Sequence, residues 1–561
     1  MPLPKTLLSL GLCAALSAAH ATESTSLIRL NQVGYPEDGE KIASVVGGGF
    51  ETFRVIDLDT GESVLEGKLT SAVDWPLSGE TLQQADFSKL DDAGHYRLLV
   101  DDLGLSHDFD VGGKERRDLL ISTIRGFYLH RVSTALEPEY AGKFARPLGH
   151  PDMDVVVHKS AATEARPAGS TYAAPKGWYD AGDYNKYVVN SGITCYTMML
   201  AYELYGDYLD EVPLNIPESG NTVPDLLDEI RWNLDWMLNM QEPESGAVYH
   251  KLTHLNFQGF VMPQEVTAKR YFVGKSTSAA YCFAATMARA SVVYQDFDPA
   301  YAHQCLEAAQ KAFAWANKRE DVPFKNPSDV VTGEYGYSEG ARDWAAAELA
   351  EVTGEALYRD VLAESSHDAY GKPSWADSRA LVFWSQLVHE KDKAARKMVV
   401  SEADRLLQIA EDNPYGVPML EEDFIWGSNG ELANRGVTLL LAYKATGKDA
   451  YYHAAEQCLD YILGRNALGY SFLMGWGDLQ VEHPHHRISS ADGIDQPYPG
   501  WVVGGPNAIA ADQEPAGGIY FGHLPANTYI DGKASYATNE VALNWNAPLV
   551  FLLSGLAAEE E

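Results

Sequence analysis

Residues 432–447 read Leu-Ala-Asn-Arg-Gly-Val-Thr-Leu-Leu-Leu-Ala-Tyr-Lys-Ala-Thr-Gly, a helix-like run that ends at a glycine. Residues 344–354 repeat this design, because the run from Trp344 to Thr353 also ends at a glycine. A glycine just beyond a helix takes the left-handed conformation that stops the helix and lets the chain reverse. A tyrosine-containing helical segment follows both glycines, so these stretches predict helix pairs joined by tight turns.

The helical pattern extends from about Glu115 to the C-terminus. The clearest single helix is predicted over residues 225–241, where apolar residues recur at helical spacing. Helix pairs repeated over this length predict a ring of helices. Long segments rich in Gly, Pro, His and Trp, such as 465–536, separate the helices. Because loops of that length in a compact domain are usually functional, we expect the reactive residues there.

The N-terminal part of the chain has a different pattern. Between residues 27 and 111, short β-rich runs alternate with turns that contain Gly and Asp, which predicts a small β-sandwich. Residues 1–21 resemble a secretory signal, with Lys5, an apolar run and an Ala-x-Ala cleavage site. The sequence therefore predicts a cleaved signal peptide and a protein that is secreted or periplasmic, without membrane insertion after cleavage.

Charge limits the partners of the protein. The chain has 43 Lys and Arg against 79 Asp and Glu, a net charge of −36. Such a surface repels phosphate backbones and anionic bilayers, so we expect no nucleic acid or membrane partner. The charge fits a neutral or cationic substrate, and it also fits the acidic proteins of a saline habitat.

The first candidate site is Asp180-Ala181-Gly182-Asp183, just before a predicted helix. Two carboxylates at this spacing can converge on one water molecule, and one of them can accept its proton. The alternative interpretation is structural, with Asp183 capping the helix.

The second candidate is Glu540, at the start of an apolar helix that follows an aromatic-rich loop. A desolvated Glu has a raised pKa and can act as a general acid at neutral pH. The alternative is a capping-box Glu. The third candidate is His483-Pro484-His485-His486-Arg487. Three His and one Arg within five residues predict a metal site. Adjacent His seldom place both rings on one metal ion, however, so hydrogen bonds to a polar neutral ligand are the alternative.

Together and in this order, the three segments resemble glycoside hydrolase family 9, the inverting cellulase family built on an (α/α)6 barrel. Residues 30–36, Leu-Asn-Gln-Val-Gly-Tyr-Pro, resemble the Ig-like module that precedes the barrel in one branch of the family. The resemblance implies a multidomain protein, with an Ig-like β-sandwich over residues 22–113 and an all-α (α/α)6 barrel over 114–561. It also implies a monomeric endo-β-1,4-glucanase that acts on β-1,4-linked polysaccharide or oligosaccharide.

Two alternatives remain. The first is an exo-acting member of the same family, a β-glucosidase, an exo-β-glucosaminidase or a cello-oligosaccharide hydrolase. The second is a glucan-binding barrel without catalysis, although binding alone requires neither the Asp pair nor Glu540.

Matched residue by residue, the resemblance implies that Asp183 is the catalytic base, Asp180 positions the water and Glu540 is the general acid. Two aromatic residues are added as sugar platforms, because sugars present flat C–H faces to aromatic rings. The predicted substrate-binding residues are His485, Arg487, Asp531, Tyr536, His250, Trp178 and Tyr184.

Two metal sites of related proteins are altered in this sequence, and we expect no required cofactor. The branch typically carries a Cys2His2 zinc site, but the matching Cys positions are Val132 and Gly149, with only His150 and His158 left. Two His do not complete a tetrahedral site, so no structural zinc is predicted. The family often binds calcium through an Asp-Glu pair, which is Gly340-Ala341 here. A structural calcium at that place would depend on Asp343 and nearby carbonyls.

Overall fold

The computed structural model describes residues 24–112, 115–321, 323–366, 368–512 and 520–560. The predicted signal peptide, residues 1–21, lies outside them. In these ranges no helix is both long and apolar enough to cross a bilayer.

The N-terminal domain is a β-sandwich, as predicted. Its strands are β1 Ile28–Arg29, β2 Gly34–Tyr35, β3 Ile42–Val46, β4 Thr52–Asp57, β5 Ser63–Lys68, β6 Val73–Trp75, β7 Glu80–Asp86, β8 Gly94–Val100, β9 Gly104–Leu105 and β10 Phe109–Val111. One sheet has the order β1-β3-β7-β6, and the other has the order β2-β10-β8-β4-β5, with β9 beside β8. Alternate residues such as Val55, Leu98 and Phe109 point inward and form its core.

The rest of the chain is helical. The helices are α1 Glu115–Leu129, α2 Pro138–Ala141, α3 Val188–Leu209, α4 Asp225–Asn239, α5 Thr277–Val293, α6 Pro299–Ala316, α7 Ala341–Thr353, α8 Ala356–Glu364, α9 Arg379–Ser385, α10 Lys393–Glu411, α11 Ser428–Thr446, α12 Asp449–Ile462, α13 Tyr536–Asn539 and α14 Leu543–Ala558. The predicted turns are confirmed, because Gly354 and Gly447 adopt φ of 66° and 70° and cap α7 and α11.

The longer helices form two concentric rings. Helices α3, α5, α7, α9, α11 and α14 are buried along most of their length, whereas α4, α6, α8 and α10 bury mainly one face. Helix α12, also in the outer ring, buries most of its residues. Contacts run from α11 to α14, α14 to α3, α3 to α5, α5 to α7 and α7 to α9. With α1 in the outer ring, this is the predicted (α/α)6 barrel.

A small sheet lies among the loops of the barrel, and no pattern in the sequence predicted it. Its strands are β11 Val155–Val157, β12 Thr171–Tyr172, β13 Lys186–Tyr187, β14 Tyr249–Thr253 and β15 Tyr271–Lys275, in the order β12-β11-β15-β14-β13. Strand β13 begins three residues after Asp183, so the sheet helps to fix the Asp-Ala-Gly-Asp segment.

The two domains are joined by buried polar contacts. Arg29 forms a two-point ion pair with Glu80 of its own domain and donates a hydrogen bond to Tyr415 of the barrel. Gln32 donates to the Gly469 carbonyl (2.7 Å) and accepts from the Leu479 N–H (2.8 Å). Because removal of one partner would leave buried polar groups unpaired, these contacts fix the N-terminal domain on the barrel.

Candidate active site

The Asp-Ala-Gly-Asp segment is the point at which distant parts of the barrel meet. The Leu543 N–H, at the start of α14, donates to the Asp180 carbonyl (2.9 Å). The Gly182 carbonyl accepts hydrogen bonds from the Arg487 backbone N–H (3.0 Å) and guanidinium (2.8 Å). A Cβ on Gly182 would lie 1.9 Å from the His485 carbonyl oxygen and 3.3 Å from Glu540 Cγ. Only glycine fits here, and its absent side chain allows the three segments to come together.

Asp180 is buried and held at both oxygens. Oδ1 accepts from Asn190 Nδ2 (2.7 Å), and Oδ2 accepts from the Tyr335 hydroxyl (2.8 Å). Burial raises the pKa of Asp180 to about 8, and the nearby Asp183 carboxyl also raises it. Asp180 is therefore mostly protonated at neutral pH.

Asp183 is oriented by one neighbour. Its two oxygens accept from the Asn185 N–H (2.9 Å) and from Asn185 Nδ2 (2.8 Å). Asn185 is itself fixed, since its Oδ1 accepts from Thr253 Oγ1 (2.8 Å) and from the His254 N–H (3.0 Å). Strand β14 thus determines where the Asp183 carboxyl points.

Glu540 lies on an extended residue between α13 and α14. Its backbone pairs with that of His485, and its carbonyl accepts from the Gly504 N–H (2.8 Å). Burial raises the pKa of Glu540 well above its usual value, and Asp183 adds to this, while Arg487 has the opposite effect. Burial therefore favours the protonated form of Glu540, which is the form that a general acid needs.

The three carboxyl groups face one cavity of about 390 Å³. Its remaining walls are mostly aromatic or polar, including Tyr187, Phe257, Glu334, Tyr335, Trp375, Trp426, Asn544 and Trp545. Acidic groups beneath aromatic rings suit a ligand with C–H faces and hydroxyl groups.

His485 and Arg487 border this site. The His485 ring lies between those of Phe260 (5.3 Å between centroids) and Tyr536 (6.0 Å). Its Nδ1 donates to the Lys533 carbonyl (2.7 Å), and burial lowers its pKa to about 4. The ring is neutral at pH 7, and its Nε2 is the acceptor.

None of the seven predicted substrate-binding residues lines this cavity, and three of them are almost fully buried. Trp178 is fully buried, and its Nε1 donates to Glu229 (2.8 Å). Tyr184 is buried, with its hydroxyl bonded to the Val261 carbonyl. His250 is buried between Ser276 Oγ (2.7 Å) and the Glu334 carbonyl (2.6 Å). The hydrogen bonds of Tyr184 and His250 hold the loops that carry Phe257 and Glu334, two residues of the cavity wall.

Asp531 also has a different place from the one predicted. Its carboxylate accepts from the N–H groups of Glu482 and His483, both at 2.9 Å, and from Asn539 Nδ2 at 3.0 Å. Asp531 does not line the cavity. Its oxygens instead hold the 482–487 loop in position.

Several cavity residues carry no signal in the sequence and were not predicted. Tyr335 binds Asp180 from a Gly-rich loop, where its φ of 47° is left-handed for a non-glycine residue. Phe257 and Trp375 come from two other loops, and Trp545 comes from the first turn of α14. No spacing along the chain links these residues to the acidic motifs. Trp426, from a further loop, also lines the cavity.

The described residues at the two places considered for zinc and calcium do not fit these metals. His150 is bonded to the Tyr179 hydroxyl (2.8 Å) and to His254 Nε2 (3.2 Å), whereas His158 contacts Ser160 Oγ (2.8 Å). In the described ranges no three His, Cys, Asp or Glu side chains are grouped so as to hold a metal ion. For the His483–Arg487 segment, this favours hydrogen bonding to a ligand over metal binding.

A cation of the protein itself occupies the place considered for calcium. The Arg379 guanidinium pairs with Asp377 (2.7 Å) and Glu339 (3.2 Å), and a Cβ on Gly340 would lie 2.7 Å from Arg379 Cγ. Asp343 instead accepts from Ser365 Oγ (2.8 Å). A guanidinium between these carboxylates does not leave the cluster of free oxygen ligands that calcium requires.

Comparison with known proteins agrees with this architecture. Residues 117–553 match the sequence profile of glycosyl hydrolase family 9, and residues 23–104 match the cellulase N-terminal Ig-like domain. A xyloglucan-specific endo-β-1,4-glucanase of Bacteroides ovatus is 41% identical over 98% of this chain and 96% of its own. Endoglucanase D of Acetivibrio thermocellus is 34% identical over 96% of this chain and 85% of its own.

Solved structures that superpose on this chain also belong to family 9. A family 9 protein of Bacteroides ovatus superposes with a TM-score of 0.89 at 40% identity, over 96% of this chain and 100% of that one. A metagenome-derived family 9 endoglucanase superposes with a TM-score of 0.88 at 34% identity, over 95% and 99% of the two chains. The chain therefore belongs to glycosyl hydrolase family 9, in the branch with an N-terminal Ig-like domain.

Proposed function

We propose that the protein is an inverting endo-β-1,4-glucanase. The observation that carries this proposal is the convergence of Asp180, Asp183 and Glu540 on one aromatic-lined cavity. The relatives whose names describe endoglucanases support the same activity. A barrel that only bound glucan would have no use for a protonated Glu540 opposite an oriented Asp183.

The proposed reaction uses two proton transfers. Glu540 donates its proton to the glycosidic oxygen as the bond to the anomeric carbon breaks. A water molecule attacks that carbon from the opposite face, and Asp183 accepts the proton that the water loses. Asp180, held by Asn190 and Tyr335, fixes the water beside Asp183 and, being mostly protonated, limits the negative charge there. The new hydroxyl lies on the face opposite the broken bond, which is inversion.

Exposed aromatic rings favour internal cleavage over removal of end units. Phe257 and Trp426 line the cavity and are 46% and 45% exposed. Such rings provide open platforms along which a glucan chain extends on either side of the cleaved bond. His485, Arg487 and Tyr536 are proposed to bind its hydroxyl groups.

The same proposal includes the setting of the enzyme. Residues 1–21 would direct export and be removed, leaving a secreted or periplasmic monomer. The net charge of −36 supports a neutral carbohydrate partner over a polyanionic one.

A product time course tests the proposed mode of cleavage. With cellopentaose, we expect cellobiose and cellotriose together at the earliest times, because one internal cut of the five-unit chain releases one of each. Proton NMR should show the α-anomer at the new reducing end before mutarotation. Glucose or, from chitosan oligomers, glucosamine released one unit at a time would support the exo alternative. An initial β-anomer would contradict inversion.

We also propose that activity requires no metal. We expect EDTA to leave kcat/KM and Tm unchanged, and metal analysis of the purified protein to find neither zinc nor calcium in stoichiometric amount. Arg379→Met should lower stability by about 1 kcal/mol, because Asp377 and Glu339 would lose their cation at a partly exposed site. A fall in Tm with EDTA, or one bound metal ion per chain, would contradict this proposal.

A further inference from the structure

A second cavity, of about 800 Å³, lies beside the catalytic one, and the two share no lining residue. It is formed by residues 480–484, 489–490, 494–497 and 532–533. Its volume falls within the usual range for small-molecule sites. Nothing in the proposed mechanism makes use of it.

The two cavities are separated by a thin ridge. His483 and Pro484 line the second cavity, and the next residue, His485, pairs with the backbone of Glu540. Lys533 also lines the second cavity, while its carbonyl accepts from His485 Nδ1 and its ammonium lies 5.9 Å from the Phe260 ring centroid. A group attached to a ligand in the catalytic cavity therefore needs to pass only the His485–Phe260 ridge.

The lining offers polar groups that the protein itself does not use. Gln480 Oε1 is shielded from solvent and has no hydrogen-bond partner among the described residues. The side chains of Glu482 and His483 are exposed, and their backbone N–H groups are fixed by Asp531. Ile494, which is partly exposed, adds an apolar surface to the lining. Fixed polar groups alternating with apolar patches suit the hydroxyl groups and C–H faces of a sugar.

The charge of the lining selects a neutral ligand. Glu482 and Asp495 contribute two carboxylates, and Lys533 contributes an ammonium near His483. The carboxylates outnumber the ammonium, which disfavours a phosphate, and the ammonium weakens the attraction for a polycation, whereas neutral hydroxyl groups can bind donors and acceptors of both kinds.

We propose that this second cavity binds a neutral sugar unit that branches from the glucan main chain in the catalytic cleft. The inference rests on the proposed function and narrows its substrate class to branched β-1,4-glucans. The main chain lies along the aromatic walls of the catalytic cavity, and the branch crosses the ridge beside His485. The second cavity then sets the preference of the enzyme for branched over unbranched chains.

A cavity-filling variant tests this assignment. Ser490→Trp places a large ring in the second cavity from a partly exposed turn, and Ser401→Trp places the same ring on the exposed face of α10. The test compares kcat/KM on xyloglucan, whose glucan main chain bears xylosyl branches, with kcat/KM on unbranched cellohexaose. The ratio of the two should fall about tenfold in Ser490→Trp, which corresponds to about 1.4 kcal/mol, and should not change in Ser401→Trp.

Binding to the inactive Glu540→Gln protein separates branch from main chain. By calorimetry, a xylose-branched glucotetraose should bind about tenfold more tightly than cellotetraose, and Ser490→Trp should remove the difference. Equal affinities, or equal losses for both ligands in Ser490→Trp, would overturn the assignment. A wild-type enzyme that cleaves neither polymer nor cellohexaose would instead overturn the proposed function, so the two failures are distinguishable.

Discussion

Glu540→Gln should reduce kcat on β-1,4-glucan by about 10²–10⁴-fold, because the amide cannot protonate the leaving oxygen. Asp183→Asn should be similarly inactive, because it cannot accept the proton of the attacking water. The two losses should differ on an aryl cellobioside with a dinitrophenolate leaving group, which departs without protonation. We expect this substrate to restore much of the turnover of Glu540→Gln and none of that of Asp183→Asn. Full activity of either variant on glucan would overturn the assignment of roles.

Glu540→Gln should also change how the stability of the protein depends on pH. The pKa of Glu540 is higher in the folded than in the unfolded protein, because the folded protein buries the carboxyl. Its contribution to stability is therefore complete below the unfolded pKa and is lost as the pH rises through the folded pKa. Glu540→Gln removes this dependence, so its Tm should exceed that of the wild type most clearly at alkaline pH. A Tm equal to the wild type at every pH would show that burial does not shift Glu540.

Gly182→Ala should damage both the fold and the activity. The new Cβ would lie 1.9 Å from the His485 carbonyl oxygen, so the backbone on one side must move. We expect a loss of about 1–3 kcal/mol in the free energy of unfolding. We also expect a fall of about 10² in kcat/KM, because a shift of about 1 Å displaces the Asp183 carboxyl from its working position.

Gly259→Ala is the matched control for this prediction. Gly259 lies in another loop close to the catalytic cavity, but a Cβ added there would have no atom within 4 Å, and the φ of this residue is not positive. The Tm of this variant should equal that of the wild type. If Gly182→Ala also kept the wild-type Tm and kcat/KM, the close approach at Gly182 would not matter.

The architecture could be predicted because it depends on local patterns. A helix that ends at Gly354 or Gly447 signals its end in the sequence itself, since few other residues adopt a left-handed cap without strain. Alternation along the short strands before residue 112 is equally local. The strands of the small loop sheet have only two to five residues, too few to show a clear period, and they were missed.

The candidate site was only partly predictable for a physical reason. Asp180, Asp183 and Glu540 stand in motifs whose residue types already indicate acid–base chemistry. Tyr335 reaches Asp180 only through the fold, from 155 positions further along the chain. Trp178 and His250, both predicted as binding residues, are fully buried. A motif does not show which of its members face a cavity and which are buried behind it.

The contact of Gln32 with the barrel has a consequence for protein engineering. One glutamine side chain from the N-terminal domain bonds both ends of the 469–479 segment, and that segment leads directly into the loop that carries His483 and His485. The Ig-like domain is thus a template for the loop beside the reaction centre as well as a neighbour of the barrel. Chimeric cellulases assembled from interchangeable parts should therefore transfer both domains together as one cassette, since a barrel given a foreign N-terminal partner would inherit that loop without its template.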